Sequence, residues 1–349
     1  MLFYLIPYLF LFGCSLVYYK LKSIRIPGIF VLLLFLIPAM MVVLLKGNVG
    51  PDTLNYLGYF KDLQTGTNIQ QFEPGFEGIA NLINFFGLDE RISIAIISFI
   101  TILCLGLSFS ASKEQILVFA ALVFPLFFYD MTMNGLRYGL SFALAGLSID
   151  AFYKNRILLF VILAFCCVSV QYSSFLIIAV FVPFKLKGIT FWPIIILGLI
   201  VLLSAGAYLD LSYFYDKQDL YKDIASPGAT SGIGPLLIFL TLYSSFILFA
   251  DKTGRTNLII HAILVSHLLS FVLAKFTYAG LRLQYLFLFA LILFIKQHLS
   301  SVGKLKNYLL VLAVIGLLGF LLQLKNFYAV VEDVESPFLP YRFFFNEND

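Results

Sequence analysis

About a dozen continuous apolar runs, separated by short connectors, constrain this chain more than any other feature. Hydrocarbon offers no hydrogen-bond partners to a backbone, so runs of this kind cross a membrane only as helices or as strands of a closed barrel. Barrel strands alternate apolar and polar positions. These runs do not alternate, which selects an all-α, polytopic helical membrane protein. Only 12% of the 349 residues are charged, fewer than a soluble chain of that length carries.

At about 20 apolar residues per crossing, spans are expected at 2–19, 26–45, 91–111, 116–129, 136–153, 157–170, 172–184, 189–209, 235–250, 257–276, 283–297 and 307–324. The first run is expected to be a retained span, because no basic residues precede it and no small-residue cleavage site follows. The runs at 116–129, 157–170 and 172–184 are short. The last two, divided by Gln171–Ser174, fit either two crossings or a re-entrant hairpin. Residues 1–349 read as one integral-membrane domain, without internal repeats or an appended soluble domain.

Basic residues choose the orientation. Thirteen of the 23 (Lys20, Lys22, Arg25, Lys113, Lys154, Arg156, Lys185, Lys187, Lys252, Arg255, Lys296, Lys304 and Lys306) fall in alternate short connectors. That side is expected to be cytoplasmic. The opposite side collects most acids and the polar segments at 46–90, 210–234 and 325–349. The net charge of +4 is scattered and implies no nucleic-acid partner. All four cysteines sit in apolar runs and read as small core residues, without disulfide or metal spacing. P-loop, GxGxxG, HExxH, CxxC and nucleophile-elbow signatures are missing. His261 and His267, six apart on one run, read as packing or interhelical hydrogen-bonding residues; His298 falls in a basic connector.

Polar residues in so apolar a chain mark function. Asp52 follows Gly50-Pro51, with Tyr56 one helical turn on. It is either a first-turn acid favoured by the helix dipole, with Pro51 opening that helix, or a carboxylate that orients or deprotonates a hydroxyl. Glu73 and Glu77 flank Pro74-Gly75 as a second carboxylate pair, Glu77 fitting better as a solvated residue entering a helix. Arg137 and Arg282 each open a run at the same depth on the same side. A guanidinium there snorkels to the interface or binds phosphate or carboxylate; Asp130 is a nearby partner for Arg137. Asn134 shares the Arg137 turn, Tyr278, Gln284 and Tyr285 accompany Arg282, and Gln171 marks the apex of the short hairpin. Tyrosines and aspartates between Tyr208 and Asp223 form either a hydrated acidic loop or a surface suited to pyranose rings.

The ordered set GPDTLNYLGYF, FEPGFEGIANLINFFG, MNGLRYGLSFALAGLSI, VQYSSFLI, LRLQYLF and PYR (Pro340–Arg342) resembles the EpsG-like family of bacterial polysaccharide polymerases, related in role to the Wzy O-antigen polymerases. Two departures stand out. The family pattern often has Arg-Gln where this chain has Arg137-Tyr138, and His-x-Ser where it has Gln171-Tyr172-Ser173. A family histidine acting as base would be missing here, which moves that role to Asp52; otherwise the family histidine only positions substrate.

The resemblance implies GT-C-like architecture in the bacterial plasma (inner) membrane, with the active site on the periplasmic or exterior side. It implies an undecaprenyl-pyrophosphate-linked oligosaccharide as donor and as acceptor, a chain-length regulator as a further partner, and no cofactor. In that scheme Asp52, Arg137 and Arg282 are catalytic: the arginines stabilise the departing pyrophosphate and Asp52 handles the acceptor hydroxyl. Tyr56, Glu73, Asn134, Gln171, Tyr278 and Tyr285 contact substrate. Two alternatives stay open, a flippase for lipid-linked oligosaccharide and an O-antigen ligase-like transferase. Mid-spans poor in charge weigh against the flippase.

Overall fold

The computed structural model describes residues 1–21, 26–67, 72–185, 231–328, 336 and 338–346. The span expected at 189–209, most of the loop at 210–234 and part of the 325–349 segment lie outside the described residues. Among the described residues the chain is all-helical. Its only β pairing is two isolated antiparallel bridges, Lys46 with Phe343 and Ala250 with Val302.

In chain order the helices are α1 (Leu2–Lys20), α2 (Gly28–Leu44), α3 (Thr53–Thr65), α4 (Pro74–Phe85), α5 (Glu90–Phe109), α6 (Lys113–Val118), α7 (Leu136–Tyr153), α8 (Ile157–Val170), α9 (Phe175–Lys185), α10 (Ile233–Phe249), α11 (Leu258–Leu273), α12 (Tyr278–Gln297) and α13 (Leu305–Tyr328). Four of them, α1, α5, α12 and most of α13, are long and apolar enough to cross a membrane. The others include the shorter apolar helices α2, α8, α10 and α11. The run read as short at 116–129 is the middle of a longer helical stretch. α6 widens into π-helix at Phe119–Phe128 and again at Asp130–Asn134. Such widening is rare and frequent near functional sites.

Side chains start these helices where local chemistry demands. Asp89, Ser112, Asn257 and Thr277 each accept a backbone N–H from the first turn of α5, α6, α11 and α12, satisfying donors that would otherwise be orphaned. α12 is the centre of the bundle: every residue from Leu286 to Lys296 is buried, as expected of a helix apolar on all sides. Outward-facing leucine, isoleucine and phenylalanine on α1, α8, α11 and α13 are exposed, an apolar exterior suited to lipid. The histidines inside the bundle pack between helices. His267 of α11 stacks on Phe239 of α10 at 3.9 Å, and His261 Nδ1 lies 3.0 Å from the Tyr243 hydroxyl.

α3 and α4, of 13 and 12 residues, lie across one end of the bundle. They build a second apolar cluster, in which Tyr56, Tyr59, Phe60, Phe72 and Phe76 pack on Ile94, Ile97, Leu136, Leu140 and Val170 of α5, α7 and α8. The C-terminal segment is tied down at the same end. Tyr341 donates to Val42 O (2.7 Å), Gly47 N–H donates to Arg342 O (2.9 Å), and Tyr4 donates to Phe338 O (2.9 Å).

Candidate active site

The polar segment after α2 turns on Gly50. Its φ is +104°, and a side chain there would meet Met133 O at 3.1 Å, so glycine is required on both counts. Thr53 then donates to Val49 O at 2.6 Å as α3 begins. The helix opens at Thr53, not at Pro51. Asp52 occupies the cap position, yet its side chain makes no capping hydrogen bond. α4 begins with Pro74 in its first turn, and Glu77 reaches back to accept Phe72 N–H at 2.8 Å. Glu77 is thus a helix-start residue, and Glu73 is left for other work. Gly75 lets α4 touch α8: a methyl there would lie 2.6 Å from the Ser169 carbonyl carbon.

Widening of the helix before α7 frees backbone carbonyls, and side chains take them up. Ser98 donates to Thr132 O at 2.7 Å, and the buried Lys46 ammonium donates to Met133 O and to Thr53 Oγ1 (3.0 Å). These bonds clamp the turn that presents Asn134 and Arg137. Arg137 enters the aromatic cluster below α3 and α4. Its guanidinium is ion-paired with the buried Glu73, lies 4.3 Å from the centre of the Phe72 ring, and is within hydrogen-bonding reach of the Tyr56 hydroxyl. The Arg137 Nε is buried without a hydrogen-bond partner. The carboxylate that pairs with this arginine is Glu73, not the Asp130 expected as its neighbour. The 64-residue separation leaves no local signal of that pairing.

Asp52 is half-buried at the other flank of Arg137. Burial raises its carboxyl above the ordinary range, against the opposing pull of Arg282, then Arg137, then Lys46. Three cations from three separate stretches of chain are therefore within electrostatic reach of one carboxylate. Asn134 Oδ1 accepts Asp52 N–H at 3.1 Å, and its side chain also hydrogen-bonds Asp130. Arg282 and Tyr285 approach the same group from α12: with Asp130 and Asp52 they lie within electrostatic reach of Tyr138. Gln284 turns the other way and donates to Gly232 O at 3.1 Å.

The hairpin apex closes the far side. Tyr172 is within electrostatic reach of Glu73 and Glu77, and its neighbour Gln171 donates to Ser173 Oγ at 2.8 Å. Tyr278 is exposed in the first turn of α12 and joins none of these contacts. The residue missed by sequence reasoning is Lys46. Burial lowers its ammonium to about 7, with Asp52 opposing. Its position at the end of the second apolar run, on the side that the basic connectors avoid, sets it apart in the sequence but does not reveal its burial. No group of three metal-ligating side chains lies together among the described residues.

The arrangement can hold a multiply charged anion between guanidinium and ammonium groups, beside a carboxylate able to take a proton. A family model described as the EpsG family matches residues 28–343. No curated protein and no solved structure matches the chain.

Proposed function

As the chain belongs to the EpsG family, a Wzy-type polymerase family, we propose that it is a membrane glycosyltransferase that lengthens a polysaccharide from lipid-linked repeats. The donor is a glycan on polyprenyl pyrophosphate and the acceptor is a sugar hydroxyl of a second lipid-linked repeat. The hydroxyl oxygen attacks the anomeric carbon, the bond from that carbon to the pyrophosphate oxygen breaks, the proton passes to Asp52, and the lipid pyrophosphate leaves. Negative charge grows on the leaving group in the transition state. Arg137 and Arg282 bind it more strongly there than in the ground state, which is what accelerates a reaction. Glu73 and Tyr56 hold the Arg137 guanidinium in place.

What supports this reading is that Arg137, Arg282 and Lys46 all lie within electrostatic reach of Asp52, beside the ion pair of Arg137 with the buried Glu73. Among the described residues, the basic positions Lys113, Lys154 and Lys296 lie at the other end, which supports a plasma-membrane location with the site facing the periplasm or exterior.

Purified protein and lipid-linked repeats in detergent test it, read as glycan length on a gel. Wild type makes a ladder; Arg137→Ala and Arg282→Ala each lose about 10²–10³ of the rate, the cost of removing one transition-state donor. Asp52→Asn is severe as well. Normal ladders from both arginine variants end the pyrophosphate-site reading. A flippase makes no longer glycan in this assay, and a ligase transfers only when a different acceptor is added.

A further inference from the structure

α2 ends at Leu44, just before Lys46, and its end is completed by a distant part of the chain. The last carbonyls of a helix have no partner within it. Here Val42 O accepts the Tyr341 hydroxyl at 2.7 Å, and Leu45 O accepts Phe344 N–H at 3.1 Å. Gly47 N–H donates in return to Arg342 O at 2.9 Å. The bonds at Leu45 and Gly47 flank Lys46 and pair it with Phe343 as an antiparallel bridge.

The segment that supplies these bonds is itself fastened to two other helices. Tyr4 of α1 donates to Phe338 O at 2.9 Å, and Phe338 stacks on Phe327 of α13 at 4.0 Å. The Tyr341 ring is buried and lies 4.7 Å from that of Phe3. A bridge of one residue pair is marginal by itself; these contacts make it a fixed part of the bundle.

A lysine side chain is long and flexible, and holding it in one geometry costs entropy. A fixed backbone removes part of that freedom. The Lys46 ammonium then joins two elements of the site. It donates to Met133 O, in the turn before α7, and to Thr53 Oγ1 (3.0 Å), the first residue of α3. Asp52 precedes Thr53, and Arg137 follows Met133 by one helical turn of sequence. Lys46 therefore ties the start of α3, with Asp52 at its cap, to the turn that presents Arg137. Groups that work by orientation lose rate when displaced by about 1 Å.

We propose that Tyr341–Phe344 is a positioning strap: by gripping the backbone on both sides of Lys46, it sets the spacing between Asp52 and Arg137. The effect on catalysis rests on the polymerase reading; the grip on Lys46 does not.

The full chain in detergent tests it with two readouts. The first is acylation of Lys46 by N-hydroxysuccinimidyl acetate, read by mass spectrometry with the exposed Lys61 as internal reference. The second is kcat for ladder formation per folded molecule. Phe344→Pro removes the N–H that Leu45 O accepts, at the first residue of a short 3-10 turn (Phe344–Asn346), a position that suits proline. Phe344→Ala keeps that N–H and removes only the exposed ring. Phe344→Pro speeds acylation of Lys46 by about three- to tenfold, the scale of one ordinary hydrogen bond, and lowers kcat by a similar factor without raising KM. Phe344→Ala is acylated as wild type is. Tyr341→Phe, which loses only the hydroxyl, moves both readouts in the same direction by a smaller factor. Adding Phe344→Pro to Lys46→Met costs no further rate, because the strap acts through Lys46.

Equal acylation of Lys46 in wild type and Phe344→Pro overturns the proposal. Faster acylation with unchanged kcat overturns it too, since the segment is then a structural tie alone, as does a fully additive loss in the double variant. Failure of the polymerase reading looks different: wild type makes no ladder while the faster acylation of Lys46 in Phe344→Pro persists.

Discussion

Two buried cations at opposite ends of the bundle are treated in opposite ways. Lys296, at the end of α12 away from α3 and α4, is saturated. Its ammonium donates to Ser108 O (2.8 Å), Ser108 Oγ (2.9 Å) and Asp150 Oδ1 (2.5 Å), and Gln297 adds a further bond to Asp150. An ammonium has three N–H donors, so nothing is left for a ligand. Arg137 also has a carboxylate partner, but its Nε has no partner at all. It faces a carboxylate already shared with Arg282 and Lys46. A saturated buried pair pins α5, α7 and α12 together. On the function proposed above, the unsaturated one is an anion receptor, its guanidinium held by Glu73, Tyr56 and Phe72.

Breaking the pin should give the largest loss of stability. Asp150→Ala strands a buried ammonium and is expected to cost about 3–5 kcal/mol, read as a lower melting temperature in detergent. The double variant Lys296→Met with Asp150→Leu should recover most of that loss, with polymer formed per folded molecule unchanged. If Asp150→Ala melts like wild type, the two ends do not differ in the way described.

At the receptor end the expected loss is catalytic. Arg137→Lys keeps a charge for Glu73 but removes the planar fork, so ladder formation should fall ~10²-fold, the lower bound for losing one oriented donor. Its melting shift should be much smaller than that of Asp150→Ala; equal shifts would make Arg137 a second pin.

Gly75→Ala comes next. Its methyl would run into Ser169 and push α4 off α8, costing about 1–3 kcal/mol as overpacking does, and moving Glu73 should lower polymer yield with it. Gly78→Ala in the same helix meets nothing within 4 Å and should leave both properties intact. The smallest effect expected is that of Asp52→Asn on stability, within about 0.5 kcal/mol, since no capping bond is lost. A large melting shift there would return Asp52 to the role of a helix-end acid.

Much of this was legible before any coordinates. Apolar runs marked most of the helices, and the positions of Asp52, Arg137 and Arg282 relative to those runs marked them as a group at one end. Three features were not legible. The helix through residue 125 reads as a short run because π geometry, not composition, carries it on to Asn134. Lys46 looks like a residue of the polar segment, and only its burial against Met133 makes it part of the site. Glu73 and Arg137 have no periodic relation, so their pairing depends on how α4 is laid over α7.

Periodicity and charge placement are local properties, readable along the chain, and they determined that this protein is a helical bundle with apolar walls, interrupted after the second apolar run by a polar segment. Which carboxylate meets which cation is set by helix-to-helix packing, through contacts such as Gly75 on Ser169 and Gly50 on Met133. A difference of one helical turn would exchange the partners without changing the sequence pattern, so only the tertiary structure could decide that Lys296 is saturated and Arg137 is not.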